Sequence, residues 1–176
     1  MFNDLKATFY TCFGDFYQSN DHIKNISKKI EYFEKAAKLD SSYALYTLGT
    51  FSYNGDGVEQ NFIKTKDYFE KSVKYSNSEA MVYLGIMYYN GEGVEQNFTK
   101  AKDYFEEALK NGNSEAMNYL GIMYYYGEGV EQDISKSKEY FEKAANLGNL
   151  DACESLNNIN HPISDDNCIG EIFAFF

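Results

Sequence analysis

The chain has 176 residues, 27 acidic and 16 basic side chains, a formal net charge of −11, and an 18% aromatic content made of 17 Tyr and 14 Phe. All its basic residues are lysine, and an acidic surface without arginine forks is ill-suited to the phosphates of nucleic acid. A single proline and abundant core-forming aromatics exclude a disordered chain, and no apolar run approaches the roughly 18–20 residues of a membrane span.

In chain order, Met1-Phe2-Asn3-Asp4-Leu5-Lys6 lacks a basic stretch followed by an apolar core, so no signal peptide is read there and a cytoplasmic protein is expected. Cys12, Cys153 and Cys168 have no framework spacing. A Cys153–Cys168 pair is one reading, and reduced cytosolic thiols are the one adopted. A first repeat over 8–43 has lost its pattern in the first half and keeps Tyr32-Phe33-Glu34 in the second. Three regular copies follow at 44–79, 80–115 and 116–151. Leu48-Gly49, Leu84-Gly85 and Leu120-Gly121 fall 36 residues apart, as do the Gly-x-Gly-Val-Glu-Gln runs from Gly55, Gly91 and Gly127. Tyr68-Phe69-Glu70, Tyr104-Phe105-Glu106 and Tyr140-Phe141-Glu142 share that period, which is the mark of a solenoid.

Each copy predicts two helices. Ala80, Leu84, Met87 and Tyr88 form the apolar stripe of a first helix that Gly91 and Gly93 end. Ala101, Tyr104, Phe105 and Ala108 form that of a second helix. Asn25, Asn61, Asn97 and Asp133 stand where the second helices need an N-cap, and Gly112, Gly148, Ser76 and Asp40 stand in the left-handed position after them. A capping helix is expected at 152–159 and an apolar tail at 161–176. In that tail Ile172, Phe173, Phe175 and Phe176 fold back over the last repeat's open face, the reading adopted, or anchor in another subunit or partner, which would make the chain self-associate.

These motifs, Ala-x-x-x-Leu-Gly-x-x-Tyr-x-x-Gly-x-Gly-Val and then Lys-Ala-x-x-Tyr-Phe-x-x-Ala-x-x-x-Gly, resemble the Sel1-like repeat, a relative of the tetratricopeptide repeat. The first copy departs from it, with Phe13 in place of the glycine and Ser19-Asn20-Asp21-His22 in place of the glycine loop. The resemblance implies an all-α right-handed superhelical solenoid of 36-residue helix-turn-helix repeats over residues 1–160. It also implies an adaptor or scaffold that binds a protein or peptide on a concave wall formed by the first helices. Carried across residue by residue, that wall offers Tyr43, Tyr46, Thr50 and Tyr53 in the second copy and Val82, Ile86, Tyr89 and Asn90 in the third. The fourth copy offers Asn118, Ile122, Tyr125 and Tyr126, and the degenerate one Tyr10, Tyr17 and Gln18. Tyr88 and Tyr124 belong to the packing consensus and are expected to be buried. Tyr53, Tyr89 and Tyr125 form a ladder that either presents rings to a partner or packs between neighbouring first helices.

The glycine loops are read as connectors: they follow helices, and their carboxylates would repel a phosphate. Asp56, Glu59, Glu92, Glu95, Glu128 and Glu131 recur in them as an acidic ridge, serving solubility or steering a basic partner. Residues 1–43 carry as many basic as acidic side chains, so the net charge of −11 lies beyond them. Single carboxylates 36 residues apart make no calcium cage, and His22 and His161 have no catalytic or metal-binding spacing. No cofactor and no metal are expected. A non-enzymatic interaction module is therefore the first reading. An immunity protein that neutralises a toxin, suggested by the acidic C-terminal half, is the second, and a carboxylate-dependent hydrolase the third.

Overall fold

The computed structural model describes residues 2–16 and 22–160, apart from the side chains of residues 2, 14, 16 and 22–25. Among the described residues there are nine helices and no strand, so the fold is all-α, an α-solenoid of helical repeats. They fall into two compact units divided between Asn113 and Ser114. The first holds α1 (Phe2–Phe16), α2 (His22–Ala37), α3 (Ser42–Asn54), α4 (Phe62–Val73), α5 (Ser78–Asn90) and α6 (Phe98–Lys110). The second holds α7 (Ser114–Tyr126), α8 (Ile134–Asn146) and α9 (Leu150–Asn160). In both, each helix packs on the next as antiparallel hairpins do. Expectations for Tyr17, Gln18, residues 19–21, Cys168 and 161–176 lie outside the described residues.

Local chemistry sets the helix ends. The side chains of Asn61, Asn97 and Asp133 accept from the backbone amides of Lys64, Lys100 and Lys136 at 2.9–3.0 Å, capping α4, α6 and α8 as expected. α2 already begins at His22, so Asn25 falls within the helix rather than before it. That copy lacks the Gly-x-Gly-Val turn which sets the phase of the others. Ser41 and Asn77 cap α3 and α5 in the same way. Gly91 ends α5 at φ 76°, and its amide donates to the Met87 carbonyl; a side chain there would be strained. Gly112 and Gly148 are left-handed at φ 72° and 86°, and so are the expected non-glycine residues, Asp40 at 62° and Ser76 at 59°. Gln60, Gln96 and Gln132 donate to the carbonyls of Tyr53, Tyr89 and Tyr125 at 2.7–2.9 Å, tying each loop to the last turn of a first helix.

The core explains the Leu-Gly motif. Phe69, Phe105 and Phe141, on the second helices, are almost wholly buried, and each ring lies against a first-helix glycine of its own repeat. A Cβ on Gly121 would stand 2.7 Å from two carbons of the Phe141 ring, closer than real atoms approach. Glycine inside a helix costs about 1 kcal/mol relative to alanine. Seating a phenylalanine ring gains about 2–3 kcal/mol from burial alone, so the glycine persists because the ring outweighs it. Small polar residues complete the packing: the Ser137 hydroxyl donates to the Gly121 carbonyl at 2.8 Å, and that of Ser72 to the Ser42 carbonyl at 2.7 Å. Tyr88 and Tyr124 are buried, as expected, and stack on Tyr104 and Tyr140 at interplanar angles of 12° and 9°.

The outer faces of the second helices carry i,i+4 ion pairs such as Lys71–Asp67 at 2.7 Å and Lys143–Glu139 at 2.6 Å. Exposed pairs of this kind contribute only tenths of a kcal/mol each. They keep the outside soluble while the Phe rows hold the inside together. Cys12 and Cys153 are exposed thiols, and no described helix is long and apolar enough to cross a membrane.

Candidate functional site

The second unit contains a cavity of about 260 Å³. Ile122, Tyr125 and Tyr126 of α7 form one wall, Phe141 of α8 contributes to the lining, and Ser155, Asn158 and Ile159 of α9 form the other wall. The spacing is helical on both walls, three or four residues apart along one face. Tyr126 is 65% exposed, and its ring meets that of Tyr125 edge-on at 4.9 Å. Gln132 holds the Tyr125 carbonyl at 2.7 Å, so the last turn of α7 is fixed where the rim stands. No charged side chain lines the cavity. Its chemistry is therefore that of an uncharged slot that mixes apolar and aromatic surface with neutral hydrogen-bonding groups, an arrangement suited to binding.

The sequence nominated Ile122, Tyr125 and Tyr126, and the fold brings these three together. It missed Phe141, Ser155, Asn158 and Ile159. Their signal was available: adding one period to Tyr119, Ile122 and Met123 lands on the three α9 residues. Asn118, on the same face of α7, is only 5% exposed and offers no surface. Its Oδ1 has no hydrogen-bond partner among the described residues. The same phase one copy earlier is Val82, which is wholly buried. Asn118→Val should therefore raise stability by about 1–2 kcal/mol, since it removes a buried unsatisfied oxygen and keeps the shape. A urea titration of the two proteins measures this.

In the first unit the nominated residues have other work. Val82 and Ile86, at 0% and 8% exposure, are core residues, which corrects their placement on a binding wall. Tyr46 and Tyr53 are half-buried against the Tyr83 ring, with centroids 5.9 and 5.5 Å away, and Tyr89 meets Phe98 at 5.4 Å. The Tyr53 hydroxyl donates to Glu92 of the next copy's loop, and Asn90 donates to the same carboxylate at 3.0 Å. Tyr53 therefore packs against the next copy's first helix and ties down one of the six ridge carboxylates, while Tyr89 packs on the second helix of its own copy. Asp56, Glu59, Glu95 and Glu131 are exposed, while Glu92 and Glu128 are half-buried. Tyr43 is exposed and donates to Asp15 at 3.3 Å; Thr50 is half-buried, Asn90 exposed, and Tyr10 half-buried beside Tyr32.

A larger open groove of about 620 Å³ lies in the first unit. Its rim mixes Lys38, Lys71 and Lys74 with Glu34 and Asp40, and no nominated residue lines it. Elsewhere the Lys136 ammonium lies 4.1 Å over the Tyr124 ring and donates to the Tyr124 hydroxyl at 2.7 Å. That hydrogen bond holds its pKa above the ordinary lysine value. Among the described residues, no three His, Cys, Asp or Glu side chains come together as a metal ion requires.

The Sel1 repeat family model matches residues 15–41, 42–74, 78–113 and 114–149. The chain belongs to the Sel1 repeat family. The matches opening at 42, 78 and 114 coincide with the first residues of α3, α5 and α7. Sel1 repeat proteins generally mediate protein–protein interaction, and the family is generally a non-catalytic scaffold. Similar solved structures agree with the fold. A protective antigen of uropathogenic Escherichia coli that displays an SLR fold is 28% identical with a TM-score of 0.80, over 88% of this chain and 33% of its own. A Sel1 repeat protein from Oxalobacter formigenes is 26% identical with a TM-score of 0.77, over 88% and 64%. Cysteine-rich protein B of Helicobacter pylori is 29% identical with a TM-score of 0.58, over 76% and 96%. The chain thus spans about a third of the first of these proteins and 64% of the second. No curated protein matches it.

Proposed function

We propose that this Sel1 repeat chain is a non-enzymatic interaction module whose protein or peptide partner docks on the rim formed by Ile122, Tyr125 and Tyr126. The observation that carries the reading is the 65% exposed Tyr126 ring at the mouth of an uncharged slot. Tyrosine brings large, rigid contact area and a hydroxyl at little entropic cost, which makes it a binding-patch residue. Tyr126→Ala should weaken the partner recovered with the wild-type chain by tenfold or more while leaving helicity unchanged. Tyr75→Ala, which removes another exposed tyrosine, in the first unit, serves as the control. Equal affinity of wild type and Tyr126→Ala in a titration would refute the docking rim.

A second reading, an inhibitor that neutralises a basic toxin in the manner of an immunity protein, draws support from the exposed loop carboxylates Glu59, Glu95 and Glu131. It predicts an association rate that falls steeply between low and physiological salt, because exposed charges act through screened long-range steering. A stopped-flow salt series that stays flat counts against this reading and leaves the first untouched.

A further inference from the structure

The third and fourth copies carry a tyrosine that the second lacks. Tyr88 and Tyr124 stand one and two periods beyond Ser52, as Tyr104 and Tyr140 stand beyond Tyr68, and Lys100 and Lys136 beyond Lys64. Tyr88 stacks on Tyr104 with ring centroids 5.8 Å apart, and the Lys100 ammonium lies over the Tyr88 ring at 5.1 Å. Tyr124 stacks on Tyr140 at 5.7 Å, under the Lys136 ammonium that donates to its hydroxyl. In the second copy Ser52, Lys64 and Tyr68 instead line a cavity of about 150 Å³, within the first unit. Leu48 and Ser52, almost wholly buried, form its floor, and the exposed Glu34, Glu59 and Lys64 its mouth. The Ser52 hydroxyl donates to the Asn61 carbonyl at 3.0 Å, so the polar group at the floor is already satisfied.

We infer that this cavity is a binding site for one neutral monocyclic phenol, either a free small molecule or the tyrosine side chain of a peptide. Its ring stacks on Tyr68, and its hydroxyl accepts from the Lys64 ammonium. Three observations select that ligand. The size admits one ring: ~150 Å³ of engineered space in an apolar core accepts a single benzene, whereas larger ligands occupy ~300–1,000 Å³. The chemistry is fixed by the other two copies, where the same two neighbours hold a phenol at the position of Ser52. The charge at the mouth, two carboxylates against one ammonium, disfavours an anionic ring such as a benzoate. The site is built from α2, α3, α4 and the loop before α4, and it depends neither on the Tyr126 rim nor on the partner proposed there.

The test titrates 4-methylphenol, the tyrosine side chain as a free molecule, into the full chain and follows the amide resonances by NMR. Those of Ser52, Asn61, Lys64 and Tyr68 should shift saturably. Toluene, which lacks the hydroxyl, should bind roughly fivefold more weakly, and 4-methylbenzoate roughly tenfold. The peptide N-acetyl-Gly-Tyr-Gly-amide is run beside them. Saturable shifts of the same resonances by this peptide assign a tyrosine side chain as the occupant, and shifts by 4-methylphenol alone assign a free phenol. Ser52→Tyr supplies the ring from within and should abolish binding, while Ser52→Ala keeps the space open and should retain it. Lys64→Met should bring 4-methylphenol down to the affinity of toluene, a loss that a change of shape would not confine to the phenol. No saturable shift in the wild type, or equal binding to Ser52→Tyr, overturns the site. An undiminished preference for the phenol in Lys64→Met overturns the placement of its hydroxyl.

Discussion

Phe105→Ala is expected to lower stability by about 3–5 kcal/mol, the range for truncating a fully buried aromatic. Phe105 has no exposed surface, and its ring lies against Gly85. Two costs combine: the lost transfer energy of the ring, and a cavity that helices fixed at their caps cannot close. In a repeat protein the loss is also passed to neighbouring copies through their shared interfaces. A urea titration followed by circular dichroism should show the midpoint falling well below that of the parent. A midpoint displaced by less than 1 kcal/mol would mean that this ring does not hold the repeat together.

Gly85→Ala tests the same contact from the other side, and it sets two effects against each other. Helix propensity favours the alanine by about 1 kcal/mol. Packing opposes it, because the new Cβ would stand 2.7 Å from Cδ1 of the wholly buried Phe105 ring. Overpacking of this severity costs about 3 kcal/mol, so the net expectation is a loss of about 2 kcal/mol. Stabilisation by 1 kcal/mol would show that propensity governs the site. The double variant Gly85→Ala, Phe105→Ala should be more stable than the two single losses add up to, because the methyl group then sits in the cavity that the ring vacates.

Gly85 also shows how the two levels of description divide. The repetition of Leu-Gly at 36 residues gives away the repeat, and a small residue inside a helix signals a close approach. What approaches is named only by the fold, as Phe105. The caps were legible in the sequence because capping is a contact between residues three apart: Asn61, Asn97 and Asp133 each need only their own turn. Asn25 falls inside α2 because its phase was borrowed from copies that have a glycine turn where the first repeat has none. Gln60, Gln96 and Gln132 recur as visibly as the glycines, but that they bind the carbonyls of Tyr53, Tyr89 and Tyr125 was not readable from their spacing.

The binding surface was the least legible part. Val82 and Asn118 share one phase, as do Ile86 and Ile122, and periodicity treats each pair alike. Val82 and Ile86 are core, Asn118 is a buried amide, and Ile122 lines a cavity. The Tyr53 ladder position became packing because Tyr83 lies against it, whereas around Tyr125 the corresponding place is held by Ser155. The sequence by itself determined the 36-residue period, the helix pair in each copy, most helix ends and the family, since all of these are set within a few residues of chain or by exact recurrence. Only the tertiary structure decided which rings fill the interior and which stand at a rim. Exposure depends on what packs alongside a residue, and the side chains that do so come from other helices, many residues away in the chain.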